Sequence, residues 1–342
     1  MDFIYEGLST RVIFGIGKLK ALSSEVSRLG SKALVLCTPE QTEVANEAAR
    51  ILGDLAVGIY DQAAMHVPVE TARAAQSEAV RLGADVYVAI GGGSTTGLGK
   101  AIALEFGHPI VCVPTTYAGS EMTPIWGLTE GGVKRTGRDM KVLPRTVIYD
   151  PELTVALPPA VTAASAMNAI AHCVEGLWVP ERTPVTAAYA TEAMRRFGAH
   201  LPRAVANGAD MEARGECLVA AWLAGTVLVG GTGLHHKLAH VLGGYGLPHA
   251  ETHAIILPHV ARFNLAAAPD ARARLADALG HDDPAAALAE MVQKFPIPQR
   301  LRDVGFAEAK IDDAAGQVAA LAIEEPRPVS AEDARAILKA AL

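Results

Sequence analysis

The sequence predicts a two-part chain: an N-terminal α/β domain on a mainly parallel sheet, then an all-helical domain, divided near residue 155. Three observations lead there. Up to that point short β-branched runs alternate with helix-like segments. Beyond it the β-runs stop and apolar residues recur with a 3.6-residue period. Finally, 342 residues exceed the ~250–300 that one hydrophobic core usually serves, and with half of them hydrophobic two cores are feasible. The expected domains are 1–155 and 156–342, sharing a cleft.

The predicted strands are RVIFG at 11–15, KALVLC at 32–37, DLAVGIY at 54–60, VYVAI at 86–90, PIVCVP at 109–114 and RTVIYD at 145–150. Helical stretches such as 68–82 separate them, which implies βαβ units and parallel pairing. TEGGVKRTGR at 129–138 reads as a β-hairpin or a mobile loop. After PELTVALPP the helical periodicity covers 160–178, 184–205, 211–227, 234–243, 251–267, 270–280 and 284–294, then 308–342 with an interruption at EEPRPVS. There is no internal repeat or low-complexity segment.

A net charge of −7 argues against nucleic acid or an anionic membrane as the main partner, because phosphate binding needs a basic face. The four cysteines, Cys37, Cys112, Cys173 and Cys217, lie in apolar segments without a CxxC pair and read as reduced core thiols of a cytoplasmic protein. MDFIYEGLSTRVIFG lacks the basic-then-apolar order of a signal peptide, and no run approaches 18 apolar residues.

Two segments carry chemistry. AIGGGSTTGLGK follows an apolar strand and opens a helix, so Gly91, Gly92, Gly93 and Ser94 can bring backbone N–H groups and a helix N-terminus to a pyrophosphate. VPTTYAGSEMT offers Thr115, Thr116 and Ser120 at the same carboxyl edge of the sheet, where open α/β sheets bind ligands. The domain is therefore Rossmann-like in role, although the spacing is not GxGxxG. The second segment is GLHHKLAHVLGGYGLPHAETHA, with His236, His240, His249 and His253. Asn168 and His172 in SAMNAIAHCVEG add a second pair four residues apart. Residues at i and i+4 share a helix face, so the two pairs can converge on one pocket, with His249 joining from a loop. Such a pocket could hold a divalent metal, or could have been a metal site once. His235 and His259 fall off these faces and read as structural, as do Trp126, Trp178 and Trp222.

In order and spacing, FGIGKL at 14–19, GGGS at 91–94, PTTYAGSEMT at 114–123, DPELT at 150–154, NAIAHCVE, GLHHKLAHVLGG and LPHAETHAIILPHV resemble the iron-containing (group III) alcohol dehydrogenase family. Within it they are most similar to the maleylacetate reductase branch. The resemblance covers nearly the whole chain. It implies a dehydroquinate synthase-like fold and a homodimer. Family members that need a metal hold it with an aspartate and three histidines, which correspond to Asn168, His172, His236 and His249. The amide at Asn168 is a poorer ligand than carboxylate, and three imidazoles could still hold Zn²⁺ with an open position; the resemblance to a branch that reduces an activated alkene nonetheless favours a metal-independent enzyme. Two further departures are Gly97 and Thr38, where many relatives carry aspartate. Without a carboxylate at Thr38 to repel a 2′-phosphate, both NADH and NADPH are expected cofactors.

What the branch implies is reduction of the conjugated C=C of maleylacetate, a dicarboxylate, to 3-oxoadipate in aromatic-compound degradation. Imidazoles suit the proton transfer and the oxyanion. His240 is the expected proton donor, with His236, His172 and His249 in the catalytic set. Tyr117, Asn168, Lys237 and His253, with Thr116 and Ser120, are expected substrate contacts, and Lys141 and Arg138 outer ones. The alternatives are a metal-dependent alcohol or polyol dehydrogenase and a non-catalytic nucleotide-responsive protein. The four retained imidazoles argue against the last.

Overall fold

A computed structural model describes residues 2–321, 323 and 326–342. The chain forms two compact units, one from Glu6 to Leu157 and the other from Pro158 to Leu342 together with residues 2–5.

The first unit runs β1 (Arg11–Phe14), α1 (Leu22–Ser27), β2 (Ala33–Leu36), α2 (Thr42–Leu52), β3 (Ala56–Tyr60), α3 (Val69–Leu82), β4 (Val86–Gly91), α4 (Gly93–Phe106), β5 (Ile110–Pro114), β6 (Ile125–Glu130), β7 (Val133–Arg138) and β8 (Thr146–Tyr149). Among the described residues six strands form one parallel sheet in the order β1-β8-β5-β4-β2-β3. The middle strands β2, β4, β5 and β8 are buried at every residue, which is why they read as unbroken apolar runs. From β2 the chain proceeds outward to β3, and from β4 it proceeds the other way to β5. The topological switch point therefore lies between the carboxyl ends of β2 and β4, where ligands of open α/β sheets bind.

The segment 129–138 proves to be part of a hairpin. β6 pairs antiparallel with β7 from Ile125↔Arg138 to Glu130↔Val133, and Gly131 and Gly132 both take positive φ at the turn. That is the two-residue turn whose twist suits a hairpin. His66 (φ 64°) and Val67 (φ 47°), just before α3, are the non-glycine residues with positive φ among those described. Thr129 clamps them, its N–H donating to the Val67 carbonyl at 3.1 Å and its hydroxyl to the His66 carbonyl at 2.8 Å.

The second unit is helical: α5 (Pro159–Glu175), α6 (Pro184–Ala206), α7 (Met211–Leu228), α8 (Leu234–Gly243), α9 (His249–Leu265), α10 (Pro269–Leu279), α11 (Pro284–Lys294), α12 (Ile311–Ala319) and α13 (Ala331–Ala341). Start signals are explicit: a Thr183/Thr186 capping box on α6, Asp210 accepting from the Ala213 N–H on α7, and a Ser330/Asp333 box on α13. One expectation is corrected. His249 does not come from a loop; it is the first residue of α9, because Pro248 ends the extended segment and the helix begins directly after it. The last helical region divides into α12 and α13. Within the EEPRPVS interruption, Glu324 and Glu325 lie outside the described residues.

All four cysteines are free and buried, and burial raises every thiol pKa, Cys37 to about 11 and Cys112 to about 12. No helix among the described residues is long and apolar enough to cross a membrane.

Candidate active site

In the sheet unit, β4 ends at Gly91 (φ 146°) and Gly92, with no side chain of its own, caps α4, which lets a ligand approach the N–H groups of the first turn. Glycine is required here. A Cβ at Gly92 would stand 2.9 Å from Thr116 Oγ1, and one at Gly91 would stand 2.5 Å from both Gln41 Oε1 and Thr95 Oγ1. Gly93 is exposed, Ser94 and Thr116 are half-buried, and the Thr115 N–H donates to the Gly91 carbonyl at 3.1 Å. Thr38 lies two residues past the end of β2, on the other side of the switch point. The arrangement fits the pyrophosphate of a dinucleotide.

Sequence reasoning missed three residues in this unit. Gln41 Nε2 donates to Thr115 Oγ1 at 2.6 Å and ties the loop after β2 to the loop after β5. Lys100 is buried, and its ammonium donates to the Ser120 carbonyl (2.7 Å), Thr123 Oγ1 (3.0 Å) and the Ile125 carbonyl (2.8 Å). Burial lowers its pKa to about 8, against opposing attraction from Cys112 and Glu121. The third is Val67, whose Cγ2 lies 2.7 Å from where a Gly97 Cβ would be. Only Lys100 left a signal, as the charge that ends the glycine-rich segment. Tyr117, expected to meet substrate, is fully buried, whereas Arg138 and Lys141 are exposed on and just after the hairpin.

The helical unit gathers six imidazoles. Asn168 Nδ2 lies 3.4 Å from His172 Nε2 on α5. His172 stacks on His236 of α8 with ring centroids 4.8 Å apart and planes at 21°. His253 of α9 stands edge-on to His235 and His236, each at 4.8 Å, and to His249 at 4.4 Å, while His249 faces His240 at 6.4 Å. The cluster therefore grades from exposed His240 through half-buried His249 to fully buried His235 and His253. His235, expected to stand apart, is inside it; its Nε2 donates to the His253 carbonyl at 3.0 Å. Burial, with His236 alongside, lowers the His235 pKa to about 4, and burial and the neighbouring imidazoles hold His253 well below its ordinary value. His253 is therefore neutral and offers a carboxylate hydrogen bonding but no charge. Lys237, half-buried on α8, is the cation of this segment.

Glu175 completes the face of α5, seven residues after Asn168 and three after His172. It is fully buried. One oxygen accepts the His235 backbone N–H at 2.7 Å and the other accepts His236 Nδ1–H. Burial raises its pKa, opposed by His235 and by backbone donors at the start of α8. The period-four stripe in NAIAHCVEG, extended by three residues, is the signal that could have found it.

The donor set departs from the aspartate and three histidines for which such sites are known. Among the described residues, the three groups whose ligand atoms lie within 4.8 Å of one another are His235, His236 and His253, not His172, His236 and His249. Within the former set His236 Nδ1 donates to Glu175 and His235 Nε2 to a carbonyl, contacts of the kind that metal-bound imidazoles make through their second nitrogen. Asn168 supplies an amide where a carboxylate would neutralise a hard cation, and Glu175 is already engaged. Imidazole suits both iron and zinc, but this set lacks the charged carboxylate of the two-histidine, one-carboxylate sites that hold Fe²⁺.

A glycine-lined helix N-terminus at a sheet switch point in one unit and an imidazole cluster in the other define a class of nucleotide-dependent oxidoreductase. The chain belongs to the iron-containing alcohol dehydrogenase family. Residues 9–151 match the family described as iron-containing alcohol dehydrogenase, and residues 162–342 match the C-terminal domain of the Fe-containing alcohol dehydrogenase family. It is 51% identical over 340 residues to the maleylacetate reductase of Burkholderia cepacia, covering 98% of this chain and 97% of that protein. With the maleylacetate reductase of Sphingobium indicum it shares 48% over 334 residues, 97% of this chain and 95% of that one. The crystal structure of maleylacetate reductase from Agrobacterium tumefaciens matches at a TM-score of 0.96 and 43% identity, covering 100% and 98% of the two chains.

Proposed function

We propose that the chain reduces the conjugated double bond of maleylacetate to give 3-oxoadipate, consuming one NADH or NADPH and one proton. The observation that carries this reading is Asn168 beside His172: an amide stands where metal-dependent relatives use a carboxylate, in a cluster of imidazoles whose carboxylate, Glu175, is bonded to His236. Such a site suits an anionic substrate and proton chemistry without a Lewis acid. The near full-length likeness to maleylacetate reductases supports the substrate.

Gly91, Gly92, Gly93 and Ser94, with Thr38, Thr115, Thr116 and Ser120, bind and orient the nucleotide. When bound, the reduced nicotinamide supplies the hydride, which adds to the alkene carbon β to the ketone. The electron pair of the double bond moves to the ketone oxygen as an enolate, and its return with a proton on the α-carbon completes the reduction. His240 supplies that proton and is recharged from solvent, to which it is exposed. His172 and His236 hold the enolate oxygen. With Nδ1–H committed to Glu175, His236 can do so only when Nε2 is also protonated, and Glu175 is then the counter-charge. His249 supports the ring facing it, and Lys237 attracts a substrate carboxylate. No metal is required, the enzyme is cytoplasmic, and it works as a homodimer.

The second reading, a metal-dependent alcohol or polyol dehydrogenase, is favoured by the mutual approach of His235, His236 and His253. Protein stripped with chelator and verified by elemental analysis is assayed for NADH oxidation with maleylacetate, beside the same protein reloaded with Zn²⁺ or Fe²⁺. Equal turnover in both is expected. Turnover only after reloading overturns metal independence, and none in either sample overturns the substrate.

A further inference from the structure

We infer that Glu175 is a positioning residue for the imidazole cluster, acting through His236. α8 follows Gly233, which has no side chain to cap the helix. Glu175, projecting from α5, does that work from outside: its Oε1 accepts the His235 N–H at 2.7 Å, and a negative charge there suits the positive end of the helix. The same carboxylate takes His236 Nδ1–H through Oε2. One side chain thus fixes where α8 starts and how its first catalytic ring is turned.

The consequence is selection of one face of the imidazole. With Nδ1 bound to Glu175, the ring is held against flipping, and Nε2 is turned away from that carboxylate. The stacked contact of His236 with His172 at 4.8 Å and 21° accords with that orientation, since His172 and Glu175 hang from the same stretch of α5, three residues apart. Gly176 contributes by making room. A Cβ there would lie 2.1 Å from Val227 Cγ1 of α7, so the end of α5 that carries Glu175 can approach α7 only with glycine next to it.

The inference deepens the reductase reading and rests on it for its kinetic part alone; the spectroscopic part needs no substrate. Histidine-labelled full-length protein saturated with NADH is examined for the exchange-protected Nδ1–H resonance of His236, assigned by its loss in His236→Gln. The resonance is expected in the parent and absent in Glu175→Gln. A parent enzyme without it overturns the inference whatever the turnover. Failure to reduce maleylacetate with the resonance present overturns the reductase reading instead. In kinetics, Glu175→Gln is expected to lower kcat about 10- to 100-fold with NADH affinity kept within about twofold. Adding it to His236→Gln should cost nothing more, because its target is already gone. Additive losses overturn the action through His236. Should Glu175→Gln fail to fold, Glu175→Asp keeps a charge near the helix start while withdrawing from His236. A kcat loss with an unchanged melting temperature supports the inference, and parental kcat overturns it.

Discussion

At Asn168 the exchange of a carboxylate for an amide removes a negative charge from a buried cluster, and the neighbouring residues show what that permits. Imidazoles 4.4–4.8 Å apart cannot all be protonated, and burial holds the deepest of them, His235 and His253, neutral. The proton inventory of the site is therefore carried by its outer members. Among these His240 is exposed. His240→Ala is expected to lower kcat by about 10²–10⁴-fold, the usual contribution of general acid catalysis, with NADH affinity unchanged in a fluorescence titration. Unchanged turnover would remove His240 from the chemistry. At this scale the sequence named most of the cluster, because i, i+4 spacing is visible in the letters. It missed Glu175, since acidic residues at helix ends are common and only the fold brings this one to His236.

At the scale of elements, the loop before α3 and the helix α4 are fitted to each other. Val67, β-branched and in the left-handed region, carries backbone strain of about 1–3 kcal/mol. Its Cγ2 fills the space above Gly97. Gly97→Ala is expected to destabilise the protein by about 1–3 kcal/mol through overpacking, measured by urea unfolding, and Val67→Ala should recover much of it. Full additivity of the two changes would show that the sites are uncoupled. None of this could be read from the sequence, because a strained φ held by Thr129 is a tertiary fact. Strands and helices were legible to within a few residues, with α8 and α11 matching their expected bounds, since apolar periodicity survives in any context. The start of α9 was displaced because the expectation gave Pro248 no weight as a helix start.

For the molecule as a whole, the alternation of β-runs and helices followed by helices alone was enough to specify the architecture, and each unit has its own apolar core. Stability as a function of pH is less obvious from composition. Lys100 has an ordinary pKa of 10.5 that burial lowers to about 8 in the folded state, so between these values the unfolded chain binds more protons. Its contribution to stability therefore rises with pH across that window, by up to roughly 3 kcal/mol. The buried thiols, with raised pKa values, pull the other way above pH 9. The measurement is the difference between parent and Lys100→Met in urea midpoints at pH 7.5 and 10. The parent should gain relative to the variant as pH rises, and parallel curves would refute a depressed ammonium.

Those thiols carry a further consequence. Cys37 and Cys112 lie in the sheet unit, Cys173 and Cys217 in the helical one, and all four are sealed from solvent as unreactive thiols. A reagent added to the folded enzyme can modify them only when their own unit opens. The protein thus comes with two pairs of internal labels, and peptide mapping after brief alkylation would report, without any engineered probe, which half of the chain lets go first.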